Sequence, residues 1–324
     1  MGGTTGRKRV AIACQGGGSH TAFTAGVLVN LLRSRMAWRE RYEPVALSGT
    51  SGGAICALLA WSGLVEDDWD AGAARLEGFW RDNAATEPWD VAVNAWTVWL
   101  ARVRDVVSLP QVSAYAVPSW GQDRLRRLLE RRVDFGRLAS RITESSPALL
   151  VSAVDVLSGA FRVFENAEVT VEAVLASAAV PPFFRAVRVD GGLYWDGLFS
   201  QNPPVRDLLA GRRPESKPDE IWVIRIEPQA RASEPRRLTE MIDRRNELAG
   251  NLSLAQELDF VATVNEWLAD GTLSSARYRP VAVRTIALGR DLDVASKFDR
   301  TPAFIAEMMR AGEQEAAAFF AGLP

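Results

Sequence analysis

A serine in a glycine-rich turn is the first candidate for chemistry in this sequence of 324 residues. Ser51 lies in Gly49-Thr50-Ser51-Gly52-Gly53, which fits the pattern G-x-S-x-G between an apolar strand pattern and an apolar helix pattern. In such a strand-to-helix turn the serine is strained, and glycines such as Gly49 and Gly53 give it steric room. The N-terminus of the following helix favours negative charge on the serine oxygen. The pattern therefore predicts a nucleophile elbow.

A nucleophilic serine needs a base, and the histidine content restricts which base is available. The one histidine in the sequence, His20, precedes Ser51. In α/β-hydrolases the order along the chain is serine, acid, then histidine. An ordinary triad of that order is therefore excluded. Either Ser51 is inert, or a carboxylate acts directly as its base.

Three consecutive glycines follow a first short apolar run, RVAIACQ. Gly16, Gly17 and Gly18 leave unshielded backbone N–H groups, which suit an anion. A phosphate-binding P-loop requires a lysine that this turn lacks, and the third glycine of a dinucleotide-binding turn would fall on Thr21. The remaining interpretation is an oxyanion hole, whose donors meet charge that develops in the transition state.

Two aspartates that precede glycine are candidates for the base. Asp190 and Asp196 lie six residues apart in FRAVRVDGGLYWDG. This segment is typical of two extended runs joined by an Asp-Gly hairpin turn. The pattern places Asp190 in the turn and leaves Asp196 at the end of the second run.

Together these motifs resemble the patatin-like acyl hydrolases, or patatin-like phospholipases, over most of residues 8–205. Members carry a glycine-triplet oxyanion loop, a G-x-S-x-G elbow and a distant Asp-Gly pair whose aspartate replaces histidine as the base. In the family that pair is followed by Asn at the sixth position and then by Pro, as Asp196 is followed here by Asn202 and Pro203. The resemblance implies a Ser51–Asp196 dyad and an oxyanion hole at residues 16–18.

The chain departs from the family pattern at three positions. His20 stands where a cation commonly follows the glycines, Thr21 replaces a following glycine, and Leu198 replaces the second glycine after the aspartate. His20 has two interpretations. It is either a titrating helper, because histidine changes charge near neutral pH, or a residue that caps or packs at the start of a helix. The second is favoured.

The order of apolar patterns predicts the fold class. Strand, glycine turn and helix occur twice within the first 65 residues, which indicates a parallel sheet covered on both faces. With the resemblance, we expect a patatin-like three-layer α/β/α sandwich with a mainly parallel central sheet and a helical Trp-rich insertion. The uncharged stretch 44–65 raises the alternative of a membrane span. Its glycine-rich turn favours a buried helix instead.

The domain organisation expected from the sequence is simple. Residues 1–7 are expected to be a disordered leader, with too short an apolar run for a signal peptide. Residues 8–324 are expected to form one catalytic domain. Within it, residues 66–120 form a helical cap-like insertion, and residues 235–324 form a C-terminal helical extension packed on the core.

The insertion holds six of the eleven tryptophans. Within 89–103, one set of apolar residues recurs at helical spacing: Trp89, Val93, Trp96, Leu100 and Val103. Asp90, Asn94 and Arg104 fall elsewhere on the helix. Packing of the tryptophans into the core is the favoured interpretation. The alternatives are a lining for an acyl-chain channel and a peripheral contact with a lipid surface.

Composition limits the partners and the compartment. A formal net charge of -2 creates no general attraction for nucleic acid. Cys14 and Cys56 lie in apolar runs and suit a reducing compartment, so we expect a cytoplasmic protein, peripheral at membranes where it meets lipid. The proposed chemistry needs no cofactor, and the sequence has no metal-ligand cluster.

The resemblance implies a serine hydrolase of lipid carboxylic esters, in the EC 3.1.1 class. The alternatives are a thioesterase or non-lipid carboxylesterase, and a catalytically weak binding protein. A Rossmann oxidoreductase has only the glycine-rich turn in its favour. The pocket, rather than the scaffold, sets the substrate.

Overall fold

The computed structural model of the chain describes residues 6–103, 113–210, 217–231, 233–276, 278–290 and 292–323. Residues 1–5 of the expected leader lie outside the described residues. So do residues 104–112 of the Trp-rich insertion, including Arg104.

The described strands form one mainly parallel sheet. They are β1 (Lys8–Cys14), β2 (Tyr42–Gly49), β3 (Ala148–Asp155), β4 (Phe161–Glu165), β5 (Val187–Val189), β6 (Gly192–Asp196), β7 (Glu220–Arg225) and β8 (Ala282–Ala287). Their order is β5-β6-β3-β2-β1-β7-β8, and β4 also pairs with β3. Within this order, each neighbouring pair of the series β3-β2-β1-β7-β8 is parallel. Strands β4 and β6 both run antiparallel to β3.

Helices cover both faces of this sheet. They are α1 (Ala22–Arg33), α2 (Arg35–Trp38), α3 (Gly52–Val65), α4 (Trp69–Asn83), α5 (Pro88–Val103), α6 (Trp120–Glu130), α7 (Phe135–Arg141), α8 (Val171–Ser177), α9 (Leu238–Ala269) and α10 (Pro302–Ala321). Alternation along β1 explains the layers, because successive side chains of a strand point to opposite faces. Val10 and Ile12 join the core formed with α1, α3 and α10, whereas Ala11 packs towards Leu254 and Val261 of α9. The expected three-layer α/β/α sandwich is confirmed.

Helix α3 is the uncharged segment that raised the alternative of a membrane span. Its residues are buried from Gly52 to Gly63 within the core. Among the described residues, no helix combines the length and the apolar character that crossing a bilayer requires.

Strand register brings the chemically interesting turns to one edge of the sheet. Cys14 at the end of β1 is paired with Gly49 at the end of β2. Gly49 is paired in turn with Val151 of β3. Two residues further along β3, Ala153 is paired with Asp196, the last residue of β6. The glycine triplet, the serine turn and the aspartate therefore follow neighbouring strands at the same edge.

The C-terminal part of the chain adds a strand as well as helices. Strand β8 pairs in parallel with β7 at the edge of the sheet. Helix α10 packs so closely on α1 that a Cβ on Gly26 would lie 2.0 Å from the Met309 carbonyl oxygen. Between β8 and α10, a short 3-10 helix (Val294–Phe298) reaches the glycine triplet.

Candidate active site

Ser51 occupies a strained turn between β2 and α3. Its backbone has φ 55° and ψ −128°, a conformation that a residue other than glycine adopts only when the surroundings enforce it. The flanking glycines are required by close packing. A Cβ on Gly49 would lie 2.6 Å from the Gly53 carbonyl, and one on Gly53 would lie 2.3 Å from the Cys14 carbonyl oxygen. The Ser51 N–H donates to the Ser177 hydroxyl at 3.0 Å, which fixes the turn from α8.

The glycine triplet lies directly beside this turn. A Cβ on Gly16 would stand 3.1 Å from the Ser51 Cβ. The Gly16 N–H donates to the Asn202 side-chain oxygen at 2.7 Å, so it already has a partner. Neither the Gly17 N–H nor the Gly18 N–H bonds to another residue that the structure describes. Two backbone donors therefore stand unused next to Ser51, while the first glycine has a structural contact.

Asp196 is completely buried at the end of β6. Its Oδ1 accepts a hydrogen bond from the Leu198 N–H at 2.7 Å. Its Oδ2 is buried without a hydrogen-bond partner among the described residues. Burial raises the pKa of Asp196 to about 7, against the opposing effects of the Leu198 N–H, the Ser51 hydroxyl and the Lys297 ammonium. A carboxyl group with this pKa both accepts and returns a proton near neutral pH.

The other candidate aspartate lies where the hairpin pattern placed it. Asp190 and Gly191 form the turn between β5 and β6 with φ of 47° and 85°. Asp190 is exposed to solvent and does not line the cavity that contains Asp196. The hairpin separates the two carboxylates, because the strand between them carries Asp196 into the core.

His20 is buried beside the glycine triplet rather than in contact with Ser51. A ring nitrogen is hydrogen-bonded to the Ser296 hydroxyl at 2.7 Å, and the ring packs on Phe304 with centroids 5.9 Å apart. Burial, with a smaller effect of the Lys297 charge, lowers the pKa of His20 to about 3. The ring is therefore neutral at physiological pH, which supports a packing role at the helix start.

Ser51 and Asp196 line one cavity of about 460 Å³ together with the glycine triplet. The remaining wall is largely apolar. It includes Ile55, Phe79, Trp80, Leu125, Phe183 and Phe184. A cavity of this size with a few polar groups at one end suits an elongated apolar ligand that carries one reactive group.

Four charged residues that line this cavity were not identified from the sequence: Arg124, Glu227, Lys297 and Arg300. Lys297 and Glu227 both line it, and the Lys297 ammonium forms an ion pair with the Glu227 Oε1. Glu227 follows the apolar strand β7, and Lys297 is one of three lysines in the sequence. The scarcity of lysine was the only sequence feature that singled out Lys297, and neither Lys297 nor Glu227 belongs to a recognisable motif.

The favoured interpretation, in which the tryptophans of helix α5 pack into the core, is wrong. Trp89, Trp96 and Trp99 are 77%, 59% and 48% exposed. The buried side instead carries Asn94, whose side chain accepts from the Arg300 N–H at 2.7 Å and donates to the Phe298 carbonyl at 3.4 Å. These polar contacts turn Asn94 inwards, and the tryptophans therefore face outwards.

The sequence model of the patatin-like phospholipases matches residues 12–209. The chain belongs to the patatin-like phospholipase family. The family match covers the glycine triplet, Ser51 and Asp196, and it supports a lipid acyl hydrolase. It ends before Glu227, α9 and Lys297.

Two solved structures resemble this chain at low sequence identity. VipD from Legionella pneumophila is 13% identical, with a TM-score of 0.45 over 98% of this chain and 67% of VipD. The type III effector ExoU of Pseudomonas aeruginosa is 15% identical, with a TM-score of 0.38 over 96% of this chain. The chain spans 52% of the ExoU length. Among curated proteins, none matches the sequence.

Proposed function

We propose that this patatin-like protein is a serine hydrolase of lipid carboxylic esters that works through a Ser51–Asp196 dyad. The observation that carries the proposal is the position of both residues in one apolar cavity, with Ser51 strained on its turn and Asp196 completely buried. The family supplies the class of chemistry. The apolar wall supports a fatty acyl chain as the part of the substrate that is recognised.

The reaction follows from the proton-accepting groups present. Asp196 takes the Ser51 proton as the serine oxygen attacks the ester carbonyl carbon, and the Gly17 and Gly18 N–H groups stabilise the oxyanion. Collapse of this intermediate breaks the ester C–O bond, and Asp196 returns the proton to the leaving alcohol. Water then attacks the acyl-enzyme, with Asp196 again as base, and releases the fatty acid and Ser51.

The exposed tryptophans support a contact with the surface where such substrates lie. Trp96 and Trp99 stack with ring centroids 5.0 Å apart on the outer side of α5. Val93, Asn94 and Thr97 of the same helix line the cavity. Indole rings are favourable at a lipid–water interface. We therefore include in the proposal that α5 rests on a phospholipid surface beside the cavity entrance.

A fluorophosphonate probe tests the nucleophile directly. Intact mass is measured for the wild type, for Ser51→Ala and for a control variant, Ser140→Ala, whose serine is exposed on α7. One adduct is expected on the wild type and on the control, and none on Ser51→Ala. No adduct on folded wild type, with or without phospholipid vesicles, would overturn the proposal, as would an adduct that persists on Ser51→Ala. Phospholipid, acyl thioester and short soluble ester substrates then distinguish a lipase from a thioesterase or a general esterase.

A further inference from the structure

Lys297 reaches the cavity from a segment far beyond the family match, which ends at residue 209. Two residues after the glycine triplet this chain has His20, which is neutral. Lys297 lies beside His20, close enough to lower the pKa of the imidazole. A positive charge is therefore present near the glycine triplet, although it comes from a different part of the chain.

The segment that carries Lys297 is held against the glycine triplet. A Cβ on Gly18 would lie 2.4 Å from the Lys297 carbonyl oxygen, so this contact requires a glycine. The neighbouring Ser296 hydroxyl is hydrogen-bonded to His20 at 2.7 Å. On the other side, Asn94 of α5 bonds to the backbone of Phe298 and Arg300. The Lys297 backbone is thus fixed between the glycine triplet and the insertion.

The side chain of Lys297 is directed into the protein by Glu227. Its ammonium is paired with the Glu227 Oε1, and the Lys297 side chain is only 19% exposed. The Glu227 side chain is 3% exposed, and its backbone N–H donates to the Gln15 Oε1 at 3.1 Å. Gln15 directly precedes the glycine triplet. Without Glu227, the long lysine side chain would be free to extend towards water.

The charges around Asp196 show what this ammonium does. Among the described residues of the cavity wall, the ionisable groups other than Asp196 are Glu227, Lys297, Arg124 and Arg300. Asp90 is within ion-pair distance of both arginines and offsets part of their charge, as Glu227 offsets part of the charge of Lys297. His20, behind the glycine triplet, is neutral. The Lys297 charge acts on Asp196 and favours its ionised form.

We propose that Lys297 is a positioning residue that favours the ionised form of Asp196, which accepts the Ser51 proton, and that Glu227 holds the Lys297 ammonium in the cavity. The inference rests on the proposed Ser51–Asp196 dyad. The ammonium acts through the electric field, since it bonds to the Glu227 carboxylate while the Asp196 Oδ2 has no hydrogen-bond partner among the described residues.

The test is the pH profile of fluorophosphonate labelling of Ser51 on the full chain. In Lys297→Met, two buried carboxylates remain in the cavity without their cation. The acidic limb of the profile, where labelling rises as Asp196 loses its proton, is therefore expected to move to higher pH. Lys297→Arg keeps the charge and should return the limb to within a few tenths of a unit. Lys217→Met, whose lysine stacks on Tyr278 outside the cavity, is the matched control.

Glu227→Gln distinguishes an electrostatic role from a structural one. It removes a negative charge and retains Lys297, so the acidic limb should stay in place or move down, opposite to Lys297→Met. If Lys297→Met does not fold, the double variant Lys297→Met/Glu227→Gln is compared with Glu227→Gln alone. The acidic limb of the double variant should then lie at higher pH than that of Glu227→Gln. The inference would be overturned if Lys297→Met and Glu227→Gln lost labelling rate equally and neither moved the acidic limb of the pH profile. A wild type that takes no label would instead overturn the proposed function.

Discussion

The Gly16 N–H donates to the Asn202 side-chain oxygen at 2.7 Å, and this bond joins the glycine triplet to the segment that follows Asp196. The same side chain donates to the Gly250 carbonyl of α9 at 3.2 Å. One buried amide therefore holds three elements in place around Ser51. Its position six residues after Asp196 is the family spacing that selected this aspartate from the sequence.

Asn202→Ala should weaken the site by loosening this connection. The variant leaves the Gly16 N–H buried without its partner and also removes the side-chain bond to the Gly250 carbonyl, which lies within α9. An unpaired buried polar group costs about 1–3 kcal/mol. We expect the free energy of unfolding to fall by that order in urea denaturation, with slower labelling of Ser51. Unchanged stability would show that other contacts hold the glycine triplet.

Asp196→Asn should remove most of the activity. A positioned general base contributes typically about 10²–10⁴-fold to the rate, and an amide cannot accept the Ser51 proton. Initial rates of ester hydrolysis measure the loss. Asp190→Asn is the control, because Asp190 lies in the exposed hairpin turn at φ 47°, a conformation that asparagine tolerates. Equal losses in both variants would contradict the assignment.

The raised pKa of Asp196 can be tested by comparing the pH dependence of stability in the wild type and in Asp196→Asn. Because the pKa of Asp196 is raised from 3.8 to about 7 in the folded protein, the folded state binds more protons than the unfolded state between these values. This group therefore reduces stability as the pH rises from about 4 to about 7. The asparagine variant lacks that term, so its stability relative to wild type should be higher at pH 8 than at pH 4. The absence of a trend would show that Asp196 has a normal pKa, and the opposite trend would show a lowered pKa.

Labelling and hydrolysis should increase with pH through about 7 and then level off. The reactive form has Asp196 deprotonated, and its pKa is about 7. His20 has its pKa lowered to about 3, so it stays neutral across this range. His20→Gln should therefore keep the same limb between pH 5 and 8. Loss of the limb in this variant would favour the titrating-helper interpretation of His20.

Gly18→Ala should disrupt the contact between the glycine triplet and the Lys297 segment. Gly18 has φ 57°, and its added Cβ would lie 2.4 Å from the Lys297 carbonyl oxygen. Gly159→Ala is the matched control, since Gly159 has φ 72° with no atom within 4 Å. Both variants should lose about 1–2 kcal/mol of stability through the left-handed backbone. Only Gly18→Ala should lose more and label slowly, as measured by denaturation and intact mass.

Replacing the stacked tryptophans of α5 should reduce binding to phospholipid. The double variant Trp96→Ser/Trp99→Ser removes apolar area from the exposed helix side, and we expect at least about a tenfold weaker partition to phosphatidylcholine vesicles. Hydrolysis of a short soluble ester should be retained. Trp267→Ser is the control, because Trp267 is 42% exposed on α9. Equal co-sedimentation of all variants would contradict the lipid contact.

Much of the fold could be predicted because local patterns and the sheet agree. Apolar runs bounded by glycine turns marked β1 and β2, and the Asp-Gly pair marked the hairpin between β5 and β6. These signals depend on neighbours in the sequence, and strand register then places the ends of β1, β2 and β6 at one edge. The types and order of the motif residues therefore determined the candidate nucleophile and its base.

Tertiary structure decided the parts of the site that depend on contacts between distant segments. The orientation of α5 follows from bonds between Asn94 and the backbone of 298–300, which an apolar pattern cannot reveal. Gly16 uses its N–H on Asn202, 186 residues away. Lys297 enters the cavity because Glu227 pairs with it and Gly18 leaves room for its backbone. Burial and through-space charge set the ionisation of Asp196, and neither is written in the residues next to it.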